Sequence, residues 1–211
     1  MKKTSLKSEP PFNLRSKPLL IVLSGPSGAG KDTVLSRMKE SGYAVEFITT
    51  VTTRPKRAKE KDNVAYHFVS VESFKQMLKD KELLEWASVY GNWYGVPKQP
   101  VKQAMDRGRD VIVKIDIQGA ATIKKILPQA VFIFLMPPSM EELATRLKQR
   151  RTESHFDLDL RLKTAEEEIK QLPLFDYVVV NKGDEIELAV AEIEAIITAE
   201  KHRVKPREIR L

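Results

Sequence analysis

The segment Gly25-Pro-Ser-Gly-Ala-Gly-Lys31 constrains this chain more than any other stretch. It fits the pattern G-x-x-x-x-G-K, a loop whose glycines let the backbone turn its amides inward around an anion. Its surroundings match that use. Leu19-Leu-Ile-Val-Leu23 before it is a short continuous apolar run, as a strand buried on both faces requires. Val34, Leu35 and Met38 after it keep helical spacing up to Gly42. A helix starting there adds partial positive charge at its N-terminus. Gly25, Pro26, Ser27, Gly28, Ala29, Gly30, Lys31, Asp32 and Thr33 are therefore expected to bind the phosphates of a nucleoside triphosphate, with Lys31 reaching the terminal ones.

Further apolar strands are expected over Ala44–Thr50, Asp110–Ile115, Val131–Leu135 and Tyr177–Val180. Helical patterns alternate with them. Ser139-Met-Glu-Glu142 is a capping box, Leu160–Leu172 reads as a charged helix, and Ile186, Val190, Ile193 and Ile197 mark one face of a closing helix. The alternation predicts an α/β fold of the P-loop NTPase kind, a parallel sheet covered by helices on both faces. Two polar insertions, about 50–100 and about 145–165, interrupt it. Neither shows a strong apolar face of its own, so both are expected to act as moving lids.

A chain of 211 residues with 42% hydrophobic composition suits one globular domain, expected over 18–201. The net charge of +7 suits a polyanionic partner, but charge does not choose between nucleic acid and nucleotide phosphates. The absence of cysteine excludes disulfides, thiolate metal sites and cysteine nucleophiles. No apolar run approaches the roughly 20 residues needed to span a bilayer. Residues 1–17 carry lysines without an apolar stretch and read as a disordered basic tail; residues 202–211 read as a solvated one. A cytoplasmic location is expected, with no membrane partner. The oligomeric state is open.

The insertions carry a second set of polar residues. Thr52-Thr-Arg-Pro-Lys-Arg57, Tyr66, Glu85-Trp-Ala87 and Gly91-Asn-Trp-Tyr-Gly95 follow one another through the first. Asp116-Ile-Gln-Gly119 follows a core strand, and Arg146, Arg150 and Arg161 lie behind Pro137-Pro-Ser139. Taken singly, Arg54 and Arg57 would be surface charges, and Glu85 could pair with a lysine. In this order, over residues 18–201, the sequence resembles the guanylate kinase family. The resemblance implies that Arg54, Arg57, Tyr66 and Tyr94 hold the phosphate of GMP, and that Thr50, Glu85 and Asp116 complete the acceptor site. A carboxylate at Glu85 can accept from N1–H and the 2-amino group of guanine, a donor pair that adenine lacks. Arg146, Arg150 and Arg161 would close over ATP and act with Lys31 on the phosphoryl group in flight. Asn181 would lie near the adenine, though in Asn-Lys-Gly183 it also suits a plain turn. Mg2+ would accompany ATP.

Three positions depart from that family. Asp32 replaces a magnesium-binding hydroxyl, Lys114 stands where an acidic residue is usual, and Val96 replaces a hydroxyl that touches the guanine 6-oxo group. Either Asp32 and Lys114 pair, or Asp32 takes over the metal while Lys114 faces phosphate. Asp32 and Val96 also point towards the related ribose 1,5-bisphosphate kinases; Glu85 and Arg57 point back to GMP. A non-catalytic protein-binding relative would not need Lys31 and the lid arginines. A nucleic-acid binder would need a reading motif, and none is present.

Overall fold

β1 (Leu20–Ser24), the strand that feeds the glycine loop, lies at the centre of a five-stranded sheet in the computed structural model, which describes residues 17–57, 60–64, 66–149 and 155–211. β7 (Asp110–Lys114) and β8 (Val131–Met136) flank it, and β2 (Val45–Ile48) and β9 (Tyr177–Val180) form the edges. Every pairing in this sheet is parallel, as expected from the apolar runs.

Alternation along β1 decides which helices cover each face. Leu19, Ile21 and Leu23 pack with Val34 and Met38 of α1 (Lys31–Glu40) and with Ala189, Ile193 and Ile197 of α7 (Ile186–Lys201). Leu20 and Val22 point the other way, to Val101 and Ala104 of α3 (Lys98–Asp106) and Ala120 and Ile123 of α4 (Ile117–Ile126). Each fully buried aliphatic side chain contributes about 1.5–3 kcal/mol by leaving water. The two cores fix β1, and with it the loop that leaves its C-terminal end.

The sequence places one strand over residues 44–50, but the chain switches sheets at Thr49. β3 (Thr50–Thr52) joins β4 (Tyr66–Phe68), β5 (Leu83–Val89) and β6 (Asn92–Pro97) in a second sheet, ordered β4-β3-β6-β5. This corrects the expectation that the first insertion lacks an apolar face. Phe74 of α2 (Val71–Lys79) is fully buried, with its ring centroid 5.5 Å from that of Trp93. The apolar residues sit on separate short segments, so no single run displays the face they build.

α5 (Met140–Gln149) begins at the predicted capping box, where Ser139 Oγ accepts from the Glu142 amide at 3.2 Å. α6 (His155–Ile169) starts and ends earlier than the sequence pattern suggests. Leu172–Leu174 is instead a 3-10 turn containing Pro173. α5 and α6 pack through Leu143, Leu147 and Ala165. α4 was read only as a motif; Asp116 caps it by accepting from the Gly119 amide at 2.9 Å.

The C-terminal stretch is not wholly solvated. Arg207 donates to Glu200 through Nε and Nη2, both at 2.8 Å, and to the Ala130 carbonyl at 3.1 Å. Ile209 and Leu211 pack on the core behind it. Their apolar character was hidden within a basic run. Residues 1–16, most of the predicted N-terminal tail, lie outside the described residues.

Candidate active site

The glycine loop, the second sheet and α6 face one another across a cleft of about 230 Å3. One wall is the predicted phosphate loop. Gly30 holds φ at 93° where α1 begins, a conformation that disfavours a side chain, and a Cβ there would come within 2.2 Å of Asn181 Nδ2. Asn181 donates from that nitrogen to the Ala29 carbonyl at 2.8 Å, which ties the end of β9 to the loop. Lys31 Nζ lies in the cradle and donates to the carbonyls of Gly25 and Pro26 at 2.6 and 3.1 Å. Burial lowers its pKa to about 8, against the pull of Glu168, Asp32 and Asp116.

The second sheet supplies the opposite wall. Thr50, Arg54, Arg57, Tyr66, Glu85 and Tyr94 all line the cleft, although they span 45 positions of the chain from Thr50 to Tyr94 inclusive. Antiparallel pairing of β3 with β6 sets Thr52 opposite Tyr94, and parallel pairing with β4 sets Thr50 opposite Tyr66. The Tyr66 and Tyr94 rings meet edge to face at 5.7 Å. Arg54 Nη2 donates to both carboxylate oxygens of Glu60, at 2.8 and 3.0 Å, and Glu60 also accepts from the Arg57 amide at 2.8 Å. That carboxylate orients the fork of guanidinium donors at the acceptor end.

Glu85 is 4% exposed, and its Oε2 has no hydrogen-bond partner among the described residues. Burial, with the neighbouring Asp116 charge, raises its pKa to about 8. Asp116 is itself raised by burial. A buried carboxyl with an unmatched oxygen, open to a cleft, is built to meet donors from a ligand.

Not every predicted residue joins the cleft. Arg161 does, with its guanidinium carbon 5.4 Å from the centre of the Tyr90 ring. Arg146 instead donates to Glu142 and to the Asn181 carbonyl, both at 2.9 Å. Asn181 is buried beneath the loop and is not among the lining residues. Thr33 is exposed on α1. Arg150 lies outside the described residues.

A guanylate kinase family model matches residues 17–200. The chain belongs to the guanylate kinase family. It is 49% identical over 187 residues to a guanylate kinase of Desulfitobacterium hafniense, covering 89% of this chain and 92% of that one. It is 45% identical over 209 residues to guanylate kinase 2, chloroplastic/mitochondrial, of Oryza sativa subsp. japonica, covering 99% of this chain and 73% of that one. Among solved structures, guanylate kinase from Anaplasma phagocytophilum is 36% identical with a TM-score of 0.76, covering 90% and 89% of the two chains.

Two departures from the guanylate kinase pattern now have a place. Lys114 Nζ donates to Asp32 Oδ1, so the two are paired. Val96 is fully buried in the core with Val101 and Ile115 and does not line the cleft. The sequence reading missed Glu60, Tyr90 and Glu168, all of which line the cleft. Tyr90 closes the β5–β6 turn at a φ of 47°. Glu168 lies seven residues after Arg161, two helical turns along α6, and that spacing was the available signal. Burial raises its pKa to about 7, while Lys31 and the Ser27 amide pull it down.

Proposed function

We propose that this chain transfers the terminal phosphoryl group of ATP to GMP, and to dGMP, giving ADP and the nucleoside diphosphate. The observation that carries this reading is the pairing, in one cleft, of the Gly25–Lys31 cradle with a buried, unmatched Glu85 carboxyl. The names of the relatives support it.

In this reading the loop amides and Lys31 bind the ATP phosphates. Lys31 would exchange its contacts with the Gly25 and Pro26 carbonyls for phosphate oxygens. Arg54 and Arg57, with the hydroxyls of Tyr66 and Tyr94, hold the acceptor phosphate. Glu85 accepts from the paired donors of guanine, with Thr50 and Asp116 beside it. The acceptor phosphate is already an anionic nucleophile, so the protein needs no strong base. Its work is alignment and positive charge, from Lys31 and Arg161, and from Arg146 and Arg150 when the lid closes. Closure of both insertions would exclude water as a competing acceptor.

Kinases of this kind use ATP with a divalent metal, here read as Mg2+, which would supply positive charge to the phosphates. Such an ion takes most of its ligands from phosphate and water. Among the described residues, no group of three or more His, Asp or Glu side chains is placed to hold a metal. Asp32 lines the cleft and is the group that would face the ion. No described helix is long and apolar enough to cross a membrane. No nucleic-acid partner is part of the proposal.

The test is ADP formation with GMP, dGMP, AMP and ribose 1,5-bisphosphate in parallel. The proposal expects GMP and dGMP to be strongly preferred. Equal rates with AMP, or a preference for the sugar bisphosphate, would refute it.

A further inference from the structure

Lys114 ends β7 with only 8% of its side chain exposed. A buried ammonium must be compensated, and Lys114 makes three contacts, two of them through its Nζ. Its Nζ donates to Asp32 Oδ1 on the first turn of α1. The same nitrogen lies 3.9 Å from the centroid of the Tyr66 ring, on β4 of the second sheet. Its own carbonyl accepts from Thr50 Oγ1 at 3.1 Å. Burial drags the Lys114 pKa down, but Tyr66 and Asp32 outweigh it and leave the pKa raised, so the residue stays charged. Lys39 and Lys31 also feel this pair: Lys114 lowers both, while Asp32 raises both.

The three contacts belong to different parts of the cleft. Asp32 is on the ATP side, Tyr66 and Thr50 are on the acceptor side, and β7 is the core strand between them. Asp32 itself is 57% exposed in its side chain, so it places a carboxylate where phosphates are expected to bind. Left alone, that charge would oppose an anion.

We propose that Lys114 is a positioning residue that neutralises Asp32 and holds it together with Tyr66, joining the donor and acceptor walls of the cleft in one arrangement. The inference rests on the reading of the cleft as a nucleotide kinase site. Each charge then needs the other, Lys114 because it is buried and Asp32 because it faces the phosphates. With the lysine gone, the Asp32 carboxylate loses this cation while it faces the phosphates, and Tyr66 loses it too. With Asp32 also gone, the repulsion disappears and only the acceptor-side support is missing.

A double-mutant cycle tests this with binding as well as turnover. The non-hydrolysable analogue AMP-PNP is titrated by calorimetry, with EDTA and again with Mg2+, into wild type, Lys114→Met, Asp32→Asn, the double variant and Lys114→Arg. Lys114→Met is expected to weaken AMP-PNP binding by about tenfold, the scale of one uncompensated charge beside a phosphate. Adding Asp32→Asn should restore most of that loss, and Lys114→Arg should keep wild-type affinity. The KM for GMP should rise in both variants that carry Lys114→Met, because Tyr66 is unsupported in each. Melting temperatures taken in parallel separate misfolding from weakened binding.

Strictly additive effects on AMP-PNP affinity would overturn the proposal. So would an Asp32→Asn variant whose Mg2+ requirement rises sharply, since Asp32 would then be a direct ligand rather than a neutralised neighbour. The cycle is read on an ATP analogue and does not depend on the acceptor. A wild type that binds AMP-PNP but fails to phosphorylate GMP would refute the proposed acceptor and leave the AMP-PNP cycle readable.

Discussion

A Cβ added to Gly119 would lie 2.7 Å from Oε2 of Glu85. Gly119 is on the first turn of α4, and that helix packs against β5, which carries Glu85. The absence of a side chain at 119 is thus what lets the acidic group sit buried at the cleft.

Gly119→Ala should therefore damage acceptor recognition without harming the fold. Alanine is the better helix former by about 1 kcal/mol, which is offset by crowding against the buried Glu85 carboxyl, so the melting temperature should change by only a few degrees. Glu85 would be displaced, and the KM for GMP should increase by about tenfold, the scale of one charge-assisted hydrogen bond. The KM for ATP should change little. Steady-state kinetics with each substrate varied, beside a thermal melt, checks the split.

The pH dependence follows from Glu85. With its pKa raised to about 8 by burial and by Asp116, Glu85 is mostly protonated at pH 6.5 in the free protein. Only the ionised form accepts from both guanine donors. The KM for GMP is expected to fall as pH rises from 6.5 to 8.5, by at most about tenfold per pH unit. Glu85→Gln should flatten the profile. Stability has the opposite sign. A carboxyl raised in the folded state contributes stability that is present below its ordinary pKa of 4.5 and is lost as pH rises through about 8. The ligand-free wild type should lose more melting temperature over that range than Glu85→Gln does.

Asn181 supports the loop from beneath. Asn181→Ala removes the 2.8 Å bond to the Ala29 carbonyl and leaves a gap against Gly30. The expected result is a KM for ATP raised by about three- to tenfold, for one neutral hydrogen bond, with the KM for GMP nearly unchanged. A rise in the GMP value alone would show that the residue acts elsewhere.

The last prediction concerns the C-terminal stretch. Glu200 is 2% exposed and accepts from Tyr177 Oη at 2.7 Å as well as from Arg207. Glu200→Ala should cost about 3 kcal/mol, because it leaves the Arg207 cation without its main partner in a part-buried place. Tyr177→Phe should cost about 1 kcal/mol. Urea melts measure both, and turnover per folded molecule should stay at the wild-type value. Arg207 and Tyr177 hold the Glu200 pKa low, so this stability is present above its ordinary pKa of 4.5 and is lost as pH falls below it.

Much of the cleft was legible before any coordinates. Gly25, Ser27, Gly28, Gly30, Lys31 and Asp32 of the loop line the cleft together with Arg54, Tyr66, Glu85 and Tyr94. Glu60 was missed because a glutamate in a charged loop has no pattern of its own. Arg146 was placed in the cleft on family order, yet its guanidinium reaches the Asn181 carbonyl instead. Val96 stands where the family has a hydroxyl, and its side chain lies in the core.

The sequence by itself determined the parallel α/β core, because continuous apolar runs and helical spacing are local signals set by the backbone's own periods. It also determined the phosphate cradle, since the loop and both flanking elements are contiguous in the chain. Only the tertiary structure decided how Lys114 meets Asp32, 82 residues away, and Tyr66. It likewise decided that Gly119 makes room for Glu85 and that Ile209 and Leu211 return to the core. Those contacts depend on strand order and on which face each residue presents, and neither is written in the spacing of neighbours along the chain.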